Sequence, residues 1–321
     1  MKARLASLIT GPPLSTEALT AVALDLCAWQ CEHLPAYGRF AADATPSTLE
    51  GIPAVPVSLL RDVPIRHPDA YEVFRTSGTT SGRRGEHWLV DTDLYELGAR
   101  TWFDACVPDC PLDQTHALVP DPTQTTDSSL AHMVRCFAPE GTWHFDHRRG
   151  VLPTAWPALS AARGPVFLAA TAFALADLLE QDGAAQLDEG SVVMVTGGFK
   201  GRQTTLDEQT LRSEVAARLG GRVRWVGEYG MTELSSQCWD TGAGFRAPPW
   251  LHVWTADPAT GRPAPEGLLC FVDLANWSSP LAVETEDLGR VVGKTVTLLG
   301  RLPKAAPRGC SLTAEEARWR R

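Results

Sequence analysis

Four short apolar runs rich in β-forming residues punctuate the middle of the chain, at 116–119, 165–170, 191–196 and 222–227. Segments 173–181 and 206–219, between the last three runs, carry apolar residues at helical spacing. Thr205 with Glu208 forms a capping box for the second, and Gly220-Gly221 closes it. Alternation of this kind predicts an α/β fold, a parallel or mixed sheet covered by helices, with ligand-binding loops at the strand ends. Upstream, 16–31 reads as an amphipathic helix through Leu19, Val22, Ala23, Leu26 and Cys27. Segment 93–105 reads as another, opened by a capping box of Asp93 and Glu96. The proline-rich stretch 36–66 is expected to be extended and irregular, and 250–299 to form a smaller β-rich part.

The chain has 321 residues, enough for one large domain or two, and a net charge of −9 from 38 acids and 29 bases. So acidic a chain is a poor general binder of nucleic acid or of an anionic membrane, and neither is expected as a partner. Anionic substrates would need local basic clusters; Arg83-Arg84, Lys200-Gly201-Arg202 and Arg301-Leu302-Pro303-Lys304 are the candidates. No apolar h-region follows Met1-Lys2-Ala3-Arg4, and the longest apolar runs are too short to span a bilayer, so a cytoplasmic protein is expected. The 8 cysteines are scattered and read as free thiols. Cys27/Cys31 and Cys106/Cys110 each have the spacing of one helix face, but nothing supplies four convergent metal ligands. The 11 tryptophans are dispersed and read as packing residues.

Two segments carry the chemistry. Thr76-Ser77-Gly78-Thr79-Thr80-Ser81-Gly82 is a run of hydroxyls and glycines. Without a Cβ to block approach, such backbone can wrap a polyphosphate. Far downstream, Glu228-Tyr229-Gly230-Met231-Thr232-Glu233 sets an aromatic ring, a glycine, a hydroxyl and carboxylates at the end of an apolar run. His132 follows Ser128-Ser129 at a helix start, where it could line a substrate pocket, bond a phosphate or pack in the core. His144, Asp146 and His147 resemble a metal cluster only loosely, and an exposed loop is the preferred reading. Cys310 lies beside Arg308 and ahead of a capping box of Thr313 and Glu316. A thiol near a helix N-terminus and a cation gains thiolate character, whereas a plain packing role would seal the tail.

Taken in order, these segments resemble the adenylate-forming superfamily over residues 70 to 310. The others in the series are Asp127-Ser128-Ser129-Leu130-Ala131-His132-Met133, Thr196-Gly197-Gly198-Phe199-Lys200-Gly201-Arg202, Glu286-Asp287-Leu288-Gly289, Leu299-Gly300-Arg301 and Arg308-Gly309-Cys310-Ser311-Leu312. The Ser-Ser-Leu and Arg-Gly-Cys-Ser-Leu pieces point to the short branch, acyl-protein synthetases of the LuxE type. The resemblance implies the mixed-sheet fold of the N-terminal part of these enzymes, with residues 1–300 as the acyl-activating core and 301–321 as a tail carrying Cys310. It implies ATP and Mg²⁺, activation of a carboxylic acid to acyl-AMP, and transfer of the acyl group to a thiol. Ser77, Gly78, Thr79 and Thr80, after Thr76, would wrap the β- and γ-phosphates. Gly197, Gly198 and Phe199 would border adenine and the acid pocket, with His132 as a further pocket candidate. Tyr229, next to Gly230, would stack on adenine, Thr232 would bond the α-phosphate and Glu233 would hold Mg²⁺. Asp287 would bind the ribose hydroxyls, with Arg301 near ribose and phosphates.

Two departures accompany the resemblance. Most of the superfamily continues beyond the position of Arg301 with a mobile C-terminal domain of about a hundred residues, which brings a lysine to the carboxylate and is not expected here. The phosphate loop has Arg83-Arg84 where a lysine is frequent. Arg83, Arg84, Lys200 or Lys304 would supply the positive charge instead. The acceptor is left open between Cys310, CoA, a carrier protein and an acyl-accepting enzyme. Two alternatives remain: an acyl- or aryl-CoA ligase with CoA as direct acceptor, and a non-catalytic nucleotide-binding homologue.

Overall fold

The computed structural model describes residues 1–76, 84–197 and 208–302. Its centre is a parallel array, in spatial order Thr115–Leu118, Phe167–Thr171, Val192–Thr196 and Arg224–Tyr229. The four expected strands are all present. Every residue of Phe167–Thr171 and Val192–Thr196 is buried, as befits strands covered on both faces. Helices Ala172–Glu180 and Glu208–Leu219 supply the cover near those strands through Phe173, Leu175, Leu211, Val215 and Leu219. The first is capped by Thr171, whose hydroxyl accepts from the Ala174 N–H. The second ends as expected at Gly220 and Gly221, with φ of 95° and 74°, values that favour glycine. Its predicted capping box reaches Thr205, outside the described residues.

The β-rich last third is not a separate part. Cys238–Asp240 adds antiparallel to Arg224–Tyr229, and Phe245–Arg246, Thr295–Arg301, Ala282–Val292, Glu266–Asp273 and Leu251–Ala256 follow in spatial order, making one sheet of 12 strands. The expected helix in 16–31 is observed as Thr16–His33, capped by Ser15, and buries Leu19, Val22, Ala23, Leu26 and Cys27 against this antiparallel half. A preceding helix, Lys2–Thr10, joins the same core through Leu5 and Ile9. Among the described residues no helix is long and apolar enough to cross a membrane.

Three local expectations are corrected. Helix Asp93–Cys106 begins after Thr92, not Asp93: the Thr92 hydroxyl donates to the Glu96 carboxylate (2.8 Å), while Lys2 of the first helix takes the Asp93 carboxylate in an ion pair. Segment 36–66 is not wholly extended, because Pro35 fits the first turn of helix Pro35–Phe40 and a 3₁₀ turn forms at Leu59–Arg61. Cys106 and Cys110 do not share a helix face, since that helix stops at Cys106. All seven cysteines among the described residues are free.

His87, in strand Glu86–Leu89, is buried, and burial holds its pKa down to about 3 from 6.5. Between those values the unfolded chain binds a proton that the native chain excludes, so this residue makes stability fall as pH falls. Replacing His87→Gln should flatten that acid limb: the urea midpoint should drop less in the variant than in the native protein between pH 6.5 and about pH 4. Equal drops would place the acid sensitivity elsewhere.

Candidate functional site

Strands Glu72–Arg75 and Glu86–Leu89 pair antiparallel and flank the predicted phosphate loop. Ser77, Gly78, Thr79 and Thr80 lie outside the described residues, but the neck of the loop is defined. The Thr76 N–H donates to the Gly85 carbonyl (3.0 Å), and the Gly85 N–H donates to the Thr76 hydroxyl (2.7 Å). Arg84 braces the neck: it donates to the Asp127 carboxylate (2.7 Å), to the Arg75 carbonyl (3.2 Å) and to the Thr76 carbonyl. Arg84, one candidate for the missing positive charge, is therefore engaged in holding the loop's base. Arg83, Lys200 and Lys304 lie outside the described residues.

The second motif comes to this neck. Strand Arg224–Tyr229 ends and the chain turns through 230–236, bringing Glu233 so near the hairpin that a Cβ on Gly85 would stand 3.3 Å from its Oε1. A Cβ at Gly230 would displace the Glu228 carboxylate. Glu228 itself accepts a bond from the Thr196 hydroxyl of the neighbouring strand, next to Gly197, which has a φ of 72°. Gly198, Phe199 and Lys200 are outside the described residues.

Buried side chains fix this turn. Asn276 donates to the Glu233 carbonyl (2.9 Å) and the Pro280 carbonyl (2.9 Å), and accepts from the Ser235 N–H (2.9 Å). Asp273 accepts from the N–H groups of Ser235, Ser236 and Ala275 and from the Ser236 hydroxyl. Gln30, from the helix Thr16–His33, donates to the carbonyls of Asn276, Trp277 and Ser279 and accepts from the Leu281 N–H. Glu233 and Thr232 are both buried.

On the antiparallel side, Asp287 pairs in register with Arg301 across two strands. The Tyr229 hydroxyl donates to Asp287 Oδ2 (3.0 Å), and Arg301 Nε forms an ion pair with Oδ1 (3.0 Å). Arg301 also bonds Glu286 Oε2 (3.1 Å), an oxygen that accepts from Arg61 as well (3.0 Å). Burial lowers the Arg301 pKa, opposed by Glu286 and reinforced by the neighbouring Arg61 cation. The Tyr229 ring packs on Phe245 and Phe271, at centroid distances of 5.8 and 6.0 Å. Tyr229 and Glu233 of one segment thus converge with Asp287 and Arg301 from far along the chain.

His132 is placed differently. It sits on helix Ser129–Phe137, as its sequence context predicts, capped by Ser128. Its Nε2 bonds Glu96 Oε1 (3.0 Å), and its ring contacts Phe74 and Tyr95 at 5.2 and 5.6 Å. Burial lowers its pKa, with the Glu96 charge opposing. Potential ligand atoms of Glu96, His132 and Cys136 lie within 4.8 Å of one another, a grouping across two helices that the sequence spacing did not reveal. The loosely read cluster at 144–147 does not form a common group. His144 is buried rather than in an exposed loop, stacked on His116 with His116 Nδ1 to His144 Nε2 at 2.9 Å. Asp146 instead accepts from the backbone N–H groups of Arg148 and Arg149, and His147 meets the Thr125 hydroxyl. Sequence reading missed Gln30, Asn276 and Arg61, whose partners, Pro280 apart, are at least 40 residues away.

Comparison with known proteins agrees with the fold. No family model matches the chain. A long-chain-fatty-acid–luciferin-component ligase of Aliivibrio fischeri is 32% identical over 78 residues, covering 21% of each chain. Its counterpart from Vibrio harveyi is 31% identical over 88 residues, covering 24% of this chain and 23% of the other. The matched stretch therefore spans less than a quarter of these relatives. Among solved structures, 2-hydroxyisobutyryl-CoA ligase in complex with 2-HIB-AMP and CoA superposes with a TM-score of 0.66 at 15% identity, covering 90% of this chain and 75% of that one. ATP-bound MatB from Rhodopseudomonas palustris gives 0.50 at 18% identity over 71% and 47%. The fold is that of adenylate-forming enzymes, as the ordered motifs lead one to expect.

Replacing Asn276→Leu should leave the Glu233 and Pro280 carbonyls buried without this donor. The expected loss is on the order of 3 kcal/mol of unfolding free energy, read by urea denaturation. A native midpoint would show that the turn finds other partners.

Proposed function

We propose that this chain activates a carboxylic acid with ATP and Mg²⁺, forming acyl-AMP and pyrophosphate, and passes the acyl group to a thiol. The observation that carries this reading is the approach of Glu233 to Gly85 at the neck of the hydroxyl- and glycine-rich loop, with Tyr229, Asp287 and Arg301 joined beside it. A polyphosphate in the loop would lie against that carboxylate. Two like charges in contact call for a hard cation, and Glu233 offers the oxygen ligand Mg²⁺ prefers. When bound, Mg²⁺ would neutralise phosphate charge.

The chain's own residues then have distinct tasks. Thr76 to Thr80 wrap the β- and γ-phosphates and Thr232 donates to the α-phosphate. Asp287 accepts from ribose hydroxyls, and Arg301 keeps it aligned. Tyr229, Gly197, Gly198 and Phe199 form the walls for adenine and the acid, with Lys200 among the cations. Attack by a carboxylate on ATP is slow because two anions must meet, and positioning with charge neutralisation lowers that barrier. His132, with Nε2 committed to Glu96, serves this reading as a wall of the acid pocket rather than as a phosphate ligand.

For the acceptor, the names of the luciferin-component ligases matched above favour a partner protein, and we place Cys310, in the proposed tail 301–321, on the route to it. The likeness to a ligase bound to 2-HIB-AMP and CoA favours a second reading, with CoA as direct acceptor. A carrier protein or acyl-accepting enzyme would serve as the thiol partner in the first.

Glu233→Gln keeps the shape and removes the charge. Pyrophosphate exchange with an acid panel should fall by about two orders of magnitude or more; exchange at the native rate would remove Glu233 from the metal site. Cys310→Ala separates the two acceptors. If Cys310 carries the acyl group, the native protein given ATP and acid should hold a hydroxylamine-labile adduct that the variant lacks. Full CoA-dependent product from the variant, with no adduct on the native protein, would assign CoA instead.

A further inference from the structure

Arg61 lies outside every motif, yet the fold delivers it to the ribose end of the site. Val55–Pro56 pairs parallel with Val283 and Glu284 of the strand Ala282–Val292, and the Val57 N–H continues the ladder to the Glu284 carbonyl (2.9 Å). Buried Val57 and Leu60 anchor the following turn. The strap ends with the Arg61 guanidinium 3.0 Å from Glu286 Oε2, across 225 residues of sequence. That same oxygen accepts from Arg301 at 3.1 Å, while Arg301 Nε lies 3.0 Å from Asp287 Oδ1 in an ion pair. Side-chain exposures of 25% for Arg61, 20% for Arg301, 18% for Glu286 and 6% for Asp287 mean that solvent screens this array only in part.

Sharing has a directional consequence. A carboxylate oxygen divided between two guanidinium groups holds each less tightly than it would hold one alone. With Arg61 present, Glu286 is partly neutralised and Arg301 can keep Nε on Asp287. Without Arg61, the full charge of Glu286 falls on Arg301 and draws it off Asp287, the acceptor of the Tyr229 hydroxyl. We infer that Arg61 is a positioning residue for the nucleotide site: by occupying Glu286 it sets Arg301 against Asp287 and so holds the ribose-binding carboxylate in place. This rests on the adenylating reading above, with Asp287 as the ribose acceptor.

The test is calorimetric titration of adenosine, AMP and 2′-deoxy-AMP into the full chain and its variants. Arg61→Gln should weaken adenosine and AMP alike, by about tenfold, and should shrink the preference for AMP over 2′-deoxy-AMP. Adding Glu286→Gln to that variant removes the competing charge and should restore AMP affinity to within about threefold of native. A packing role for Arg61 predicts no such rescue. Native affinity in Arg61→Gln, or a double variant no better than the single one, overturns the inference while leaving the adenylating reading intact. So does a loss confined to AMP with adenosine unchanged, which would make Arg61 a direct phosphate ligand. Failure of the native protein to bind either nucleoside or nucleotide would instead sink the adenylating reading, and this inference with it.

Discussion

The site hangs on backbone that is buried without belonging to a helix or a strand. Residues 274–281 connect two strands of the sheet, and nearly all are buried. Their peptide groups cannot turn to water, so each needs a partner supplied by the protein. Gln30, fully buried, answers four of them with one amide side chain. Asn276 relays that order to Glu233, and Asp273 to Ser235 and Ser236. Burial pushes the Asp273 carboxyl up to about 6 although four donors oppose the rise. The placement of Glu233 is thus decided by amides and a carboxylate that need never touch a substrate.

Charge around the site is arranged in closed groups. Arg75 pairs with Glu86, Arg84 with Asp127, and Arg61 and Arg301 with Glu286 and Asp287. In a chain of net charge −9 these arginines do not make a basic patch. On the proposed reading, a polyphosphate would gain attraction from these arginines by competing with carboxylates already in place. Such exchange favours discrimination over raw affinity, because an anion of the wrong shape disrupts ion pairs without replacing them.

What could be read from the sequence follows from how local the signal was. The parallel strands announced themselves as short apolar runs, both helices between them by period, and the second also by its closing glycines. Tyr229, Glu233, Asp287 and Arg301 were legible because each sits in a short segment whose residue types are unusual together. The structure brings these segments to one place, while their roles toward a nucleotide remain a proposal. Gln30 gave no such sign: within its helix it looks like any polar residue, and its partners lie about 250 positions away. Arg61 was hidden in the same way, in a proline-rich stretch expected to be extended and irregular. His132 and Cys136 have a spacing visible in sequence, but Glu96 comes from another helix, so their grouping was not. The box assigned to Asp93 failed because Lys2, nearly a hundred positions earlier, claims that carboxylate.

The strap that carries Arg61 has a consequence for how the molecule is made. Val55 and Pro56 find their only ladder partners among the described residues at Val283 and Glu284, and Gln30 bonds residues 276–281, so the strap and helix Thr16–His33 wait for most of the chain before they can dock fully. Contacts of such long sequence separation are slow to close, and apolar faces remain uncovered until they do. During synthesis, Leu19, Leu26 and Tyr37 emerge long before Phe271 and Val283, the residues of their common core. The interval between them is where this chain is most exposed to misassociation and where a chaperone would find its binding surface.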